Sequence, residues 1–171
     1  PCRGHAGGLR LLELYREIKR IVPEINLELV TCQHPEVDWG IEELPQIFNK
    51  VYWLAVENYS FKGVLSIDGL NKDYDCIDLQ YHQSGAFIGN LKKKYPKARI
   101  IFSPMESMIH AARLAIQKSR QHFTVKQLLQ HMWLALREAY YVINTDSTIC
   151  VSEPDFYQLR FLKRDNIFYI S

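Results

Sequence analysis

No stretch of the chain approaches the roughly 18 apolar residues that a membrane-spanning helix needs, so no span is expected. Neither charge dominates. Lys and Arg number 21 against 19 Asp and Glu, and the basic residues are scattered, which leaves no stripe for nucleic acid. The four cysteines, Cys2, Cys32, Cys76 and Cys150, form no C-x-x-C pair, which argues against a zinc knuckle or a thioredoxin-like motif. Three of them end or enter apolar runs, where a thiol acts as a small buried hydrophobe, and a reducing compartment is expected. The opening residues Pro1-Cys2-Arg3-Gly4 do not read as a signal peptide, and a cytoplasmic protein is expected. Repeats, low-complexity tracts and linkers are missing as well, so residues 1–171 read as a single domain. What the chain does contain is a globular balance, 47% hydrophobic and 23% charged, which argues against disorder.

Short apolar runs alternate with helical spacing. Leu11, Tyr15, Ile18 and Val22 share one helix face. Strand candidates are 27–30, 51–56, 76–79, 99–102, 148–151 and 167–170, rich in β-formers. Between them, helical spacing returns at Phe87, Ile88, Leu91 and Tyr95, and again at Met108, Ala112, Ala115 and Ile116. A longer helix carries Val125, Leu129, Met132, Leu136, Tyr140 and Ile143, and a short one Phe156, Leu159 and Leu162. Residues 57–75 read as a long connection with room for a short helix. The alternation predicts an α/β, Rossmann-like fold: a mostly parallel sheet, its apolar strands buried, with helices on both faces. No strand candidate precedes the segment Gly4 to Arg10, so the first, central strand of such a sheet is expected to be missing.

Ligands of open α/β sheets bind outside the carboxyl ends of the strands, so the loops after the strands carry the candidates. Gly4-His5-Ala6-Gly7-Gly8-Leu9-Arg10 offers either an anion-binding helix entry or a tight turn, and is not G-x-G-x-x-G. Gln80, His82 and Gln83 follow a strand and can bond sugar hydroxyls, or hold structure. Ser103-Pro104-Met105-Glu106 has the form of a capping box, with Ser103 at the N-cap, although Glu106 would then also point to the cleft. Ser152-Glu153-Pro154-Asp155 has the same S-x-x-D form. The basic run Lys92-Lys93-Lys94 suits a solvated helix C-terminus, or a peripheral contact with an acidic membrane.

Taken in order, these pieces resemble a known family. A glycine-rich loop opens the first helix; Asp75-Cys76-Ile77-Asp78-Leu79-Gln80 ends a strand; Arg99 to Phe102 is followed by an acid, Glu106. Arg137-Glu138 lies on a helix that leads to Thr148-Ile149-Cys150-Val151-Ser152-Glu153-Pro154-Asp155. The pattern is similar to the N-terminal lobe of the retaining, two-lobed (GT-B fold) group 1 glycosyltransferases, over nearly the whole chain. That resemblance implies an acceptor-binding half of an enzyme that moves a sugar from a nucleotide-sugar donor to a saccharide or lipid-linked acceptor. It implies no resident metal or cofactor, with the nucleotide sugar a co-substrate bound mainly by a C-terminal donor lobe. Carried over, Gly7 and Gly8 would form the loop near the donor diphosphate with Arg10 assisting. Gln80 and His82 would line the acceptor side, Glu106 would sit in the cleft, and Ser103, Ser152 and Glu153 would border it. Glu106 and His82 are the catalytic candidates. Many members have a His where Ser103-Pro104 stand here, and a His is common at the position of Asp78. The contrasting expectation is a non-catalytic Rossmann-like module that docks a carbohydrate or a partner.

Overall fold

A computed structural model describes residues 6–33, 43–70, 73–118, 124–163 and 165–170. The chain is α/β with parallel sheets, a Rossmann-like arrangement, as the alternation predicts. It forms two compact units, Pro1–Lys72 and Asp73–Ser171, and the strands fall into two sheets instead of the single one expected.

In the first unit, helix α1 (Ala6–Ile21) leads to strand β1 (Glu28–Gln33), short helix α2 (Leu44–Ile47) and strand β2 (Lys50–Ala55). β1 and β2 pair in parallel from Glu28↔Lys50 to Gln33↔Ala55. Leu12, Leu44, Ile47 and Phe48 form the core here, with Tyr15, Leu29, Val51 and Trp53 packed on it. The predicted α1 stripe holds at Leu11 and Tyr15 and runs out into solvent at Val22. Asn49 ties the strands at their start: its N–H donates to the Leu27 carbonyl at 2.7 Å, and its Oδ1 accepts from the Leu27 N–H at 3.0 Å. After β2, a 3-10 turn (Val56–Asn58) and helix α3 (Phe61–Leu65), capped by Ser60, fill the connection.

The second unit runs β3 (Cys76–Gln80), α4 (Tyr81–Ser84), a 3-10 turn (Gly85–Phe87), α5 (Ile88–Lys94), β4 (Arg99–Ser103), α6 (Met108–Lys118) and α7 (Val125–Asn144). β5 (Ser147–Cys150), α8 (Glu153–Leu159) and β6 (Ile167–Tyr169) complete it. All pairings are parallel, and the strand order β3-β4-β5-β6 follows the chain order. α6 packs on α7 and α8, and α5 on α7. Ile88, Ile100, Phe102, Val142, Cys150 and Leu159 are fully buried. Asp146 joins β5 to β4, its Oδ2 accepting from the Ile100 N–H and its N–H donating to the Ile100 carbonyl, both at 2.8 Å. α7 begins with a capping box between Thr124 and Gln127. Gly85 is required by packing: a Cβ there would lie 2.7 Å from Cε2 of Tyr141, whose ring meets Phe102 edge-on.

Three expectations change. The strands are not buried throughout, since Phe168 and Tyr169 of β6 are exposed. Of the cysteines described, Cys150 is buried, Cys32 half-buried and Cys76 exposed. The stripe Val125, Leu129, Met132, Leu136, Tyr140, Ile143 on α7 is the face turned to solvent, while Glu138, Tyr141 and Val142 are buried.

Candidate functional site

The carboxyl ends of β3, β4 and β5 carry the polar groups of the second unit. In the parallel register Gln80 lies beside Ser103, and Asp78 sits two residues before Gln80 on the same face. Asp78 gathers both: Ser103 Oγ donates to it at 2.9 Å, and the Gln80 amide donates to its other oxygen. Immediately after Gln80 the chain turns at Tyr81 with φ of 66°, in the left-handed region that non-glycine residues rarely occupy. Strain of this kind persists where the surroundings impose it, and it concentrates at ligand sites.

Beyond the turn, His82 points back into the fold. Its ring packs on Tyr141 at 5.3 Å, and its Nε2 is enclosed without a hydrogen-bond partner among the described residues. Burial lowers its pKa below the ordinary value, opposed by the Leu134 carbonyl and reinforced by the Arg137 charge, so the imidazole is neutral near pH 7. Arg137 stacks over Trp133 and donates to the Tyr141 hydroxyl, which fixes the far side of that ring.

The β4–α6 connection departs from the capping box read at Ser103. Ser103 is the last residue of β4, consumed by strand pairing and by Asp78, and α6 starts only at Met108. The serine that serves the helix is Ser107, whose Oγ accepts from the His110 N–H at 3.1 Å. Glu106 therefore lies in the connection, exposed. The acid that meets the helix start is Glu138 of α7. It accepts from Ser107 Oγ and from the Ile109 N–H, both at 2.8 Å, while its Oε1 has no partner among the described residues. Burial pushes its pKa up, and the two donors and the helix start oppose the shift. His110 and Asp155 stand 3.8 Å apart beside it, too far for a hydrogen bond. Spacing reveals Glu138 in retrospect, because it lies on one helix face with Leu134, Tyr141 and Val142 and so interrupts an inward stripe.

Ser152 does cap its helix. It precedes α8, and its Oγ accepts from the Asp155 N–H at 3.2 Å, as the S-x-x-D form predicts. Glu153 is exposed in the first turn. Cys150, at the end of β5, has its thiol pushed up to about 12 by burial and by the neighbouring Asp155 and Glu138. In the first unit α1 begins at Ala6, so Gly7, Gly8 and Arg10 are helical and not part of a loop, while Gly4 and His5 of the same segment lie outside the described residues. Thus Gln80, His82, Ser103, Glu106, Ser152 and Glu153 all belong to strand ends or following turns of one sheet, whereas Gly7, Gly8 and Arg10 belong to the other unit.

Among the described residues no group of three His, Cys, Asp or Glu could hold a metal ion, and no helix is long and apolar enough to cross a membrane. The chain matches no protein-family model, no curated protein and no solved structure.

Proposed function

We propose that this chain is the acceptor-binding half of a nucleotide-sugar-dependent glycosyltransferase, acting on a saccharide or lipid-linked acceptor in the cytoplasm, at the inner face of the membrane. The observation that carries the reading is the polar edge formed by Gln80, Asp78 and Ser103 at the ends of two adjacent parallel strands, next to the strained turn at Tyr81. Parallel strands present such ends to ligands, and an amide, a hydroxyl and a carboxylate suit a polyhydroxylated acceptor. In this reading Gln80 holds acceptor hydroxyls, and Ser103, buried and donating to Asp78, positions that carboxylate at the acceptor edge. Glu106, exposed just beyond β4, supplies the catalytic carboxylate, and Ser152 and Glu153 border the cleft. His82, neutral and packed on Tyr141, completes the reacting edge. The sugar nucleotide is held chiefly by a donor lobe.

The test is sugar transfer by the chain joined to its donor lobe. Gln80→Ala and Glu106→Ala should each lower transfer about tenfold to a thousandfold with the thermal midpoint unchanged. Full activity in both variants sinks the reading. Isothermal calorimetry of the chain alone against uridine and guanosine diphosphate sugars should give no micromolar binding, about −8 kcal/mol; such binding would place the donor site here.

One observation favours a non-catalytic binding module instead: the imidazole nearest the strand ends is taken up by packing, with Nε2 enclosed. Under that reading the chain joined to a donor lobe transfers no sugar and His82→Phe leaves carbohydrate binding unchanged, whereas a reacting edge that includes His82 loses transfer on that substitution.

A further inference from the structure

An apolar stripe runs along the outward side of α7 from Val125 to Ile143. Val125 is 74% exposed, Leu129 60%, Trp133 55% and Leu136 68%, and Met132, Tyr140 and Ile143 continue the stripe. Twenty residues of helix make it about 30 Å long. On one side Leu114 and Ile116 of α6 and Phe161 beyond α8 are also exposed. A groove of about 530 Å³ runs between α6 and α7 there, lined by Ile109, Ala112, Ile116, Met132, Leu136 and Phe161. Monomeric proteins rarely leave so continuous an apolar patch to water without a use for it.

The exposed charges described on α5, α6 and α7 have one sign. Lys92, Lys93 and Lys94 are exposed at the end of α5, which packs on α7. Arg113 stands exposed on α6 and Lys126 at the start of α7, and Arg137 is half-buried over Trp133. Across α5, α6 and α7 the sole carboxylate is Glu138, and it is fully buried and held by Ser107 and Ile109. Solvent therefore meets hydrocarbon and cations on these helices, and no anion from them.

That combination separates the occupants such a stripe could have. Two copies packed on this face would set cations of one against cations of the other, with no exposed acid on these helices to offset them, where coiled-coil pairs use opposite charges beside the seam. A lipid surface with acidic headgroups supplies the missing sign. It takes Leu, Met and Ile into the acyl boundary, seats Trp133 and Tyr140 at headgroup depth, and lets the lysines extend to the phosphates. The geometry points to the α7 face, flanked by the basic end of α5, as a docking surface for an anionic lipid interface, on which the protein lies without crossing. The lysine run takes part as the electrostatic rim, and the apolar anchor is α7.

This assignment does not depend on sugar transfer, and its test reads lipid partitioning alone, so either can fail without the other. Cosedimentation of the full chain with phosphatidylcholine vesicles, with and without phosphatidylglycerol, should show binding to the anionic vesicles that weakens with added salt. Neutralising Lys92, Lys93 and Lys94 together to Ala should cut that partitioning by about a hundredfold. The Leu129→Asp/Leu136→Asp variant, altered only at exposed positions, should keep its circular dichroism and thermal midpoint and lose the rest of the binding. Tryptophan emission should shift to the blue on binding, and Trp133→Phe should bind without the shift. A folded chain that ignores phosphatidylglycerol vesicles overturns the proposal, as does binding that survives both the lysine and the leucine variants. Light scattering that finds a dimer abolished by Leu129→Asp/Leu136→Asp also overturns it and gives the stripe to a second copy.

Discussion

Two titratable side chains, buried Glu138 and half-buried His82, pull the stability of the second unit in opposite directions. Glu138 holds its proton more tightly folded than unfolded, because burial outweighs the donors that favour its ionised form. Its contribution therefore falls as pH rises from the ordinary carboxylate value through the raised one. Glu138→Gln keeps an oxygen for Ile109 and Ser107 and removes the titration, so in urea denaturation it should gain on the wild type as pH rises. Glu138→Ala strands both donors and should cost about 1–3 kcal/mol. His82 works the other way, with its folded pKa depressed by burial. Stability it confers is present above the ordinary histidine value and is lost as pH falls below it, and His82→Phe should flatten that acid limb. Cys150, whose thiol is pushed up to about 12 and fully buried, should stay unlabelled by a thiol reagent in the native state while exposed Cys76 reacts. Peptide mapping reads both. None of these burials is visible in the sequence, where Cys76 and Cys150 both stand in similar apolar runs.

At the scale of elements the sequence was most legible in its strands. Five of the six lie within one residue of the runs that predict them, because each run is apolar, short and bounded by polar or turn residues, and β1 runs three residues past its predicted end, to Gln33. Helix starts were less so. Ser103-Pro104-Met105-Glu106 has every letter of a capping box, but pairing with Gln80 keeps Ser103 in β4, and Ser107 takes the duty four residues later. Periodicity found a stripe on α7 without saying which face is packed, since hydrophobicity there marks the outer side and the inner side carries a carboxylate. The polar edge was legible as a set of strand ends, and the Asp78 contacts that bind it were not. Two measurements separate the exposed stripe of α7 from a buried position on α8. Leu136→Ala should change stability by less than about 0.5 kcal/mol, while Leu159→Ala, fully buried, should cost about 2–5 kcal/mol. Gly85→Ala should cost about 1–3 kcal/mol, since its methyl would press on the Tyr141 ring. Thermal or urea unfolding checks all three.

Over the molecule as a whole, the two units differ in how much of their sheet is protected. β1 and β2 form a two-stranded sheet, whereas β4 and β5 have a strand on either side. Hydrogen exchange should find its slowest amides in β4 and β5 and faster ones in β1 and β2; the reverse order would contradict this division. The four-stranded sheet also has a temporal side. Because its spatial order repeats the chain order, each strand pairs with the one made just before it. A ribosome delivering this unit from its amino end presents every new strand to an edge that already exists, and no strand waits for a later one to be inserted beside it. Loop closures stay short, contact order stays low for a parallel sheet, and one edge stays fixed at β3 while the other moves outward with each strand that is made.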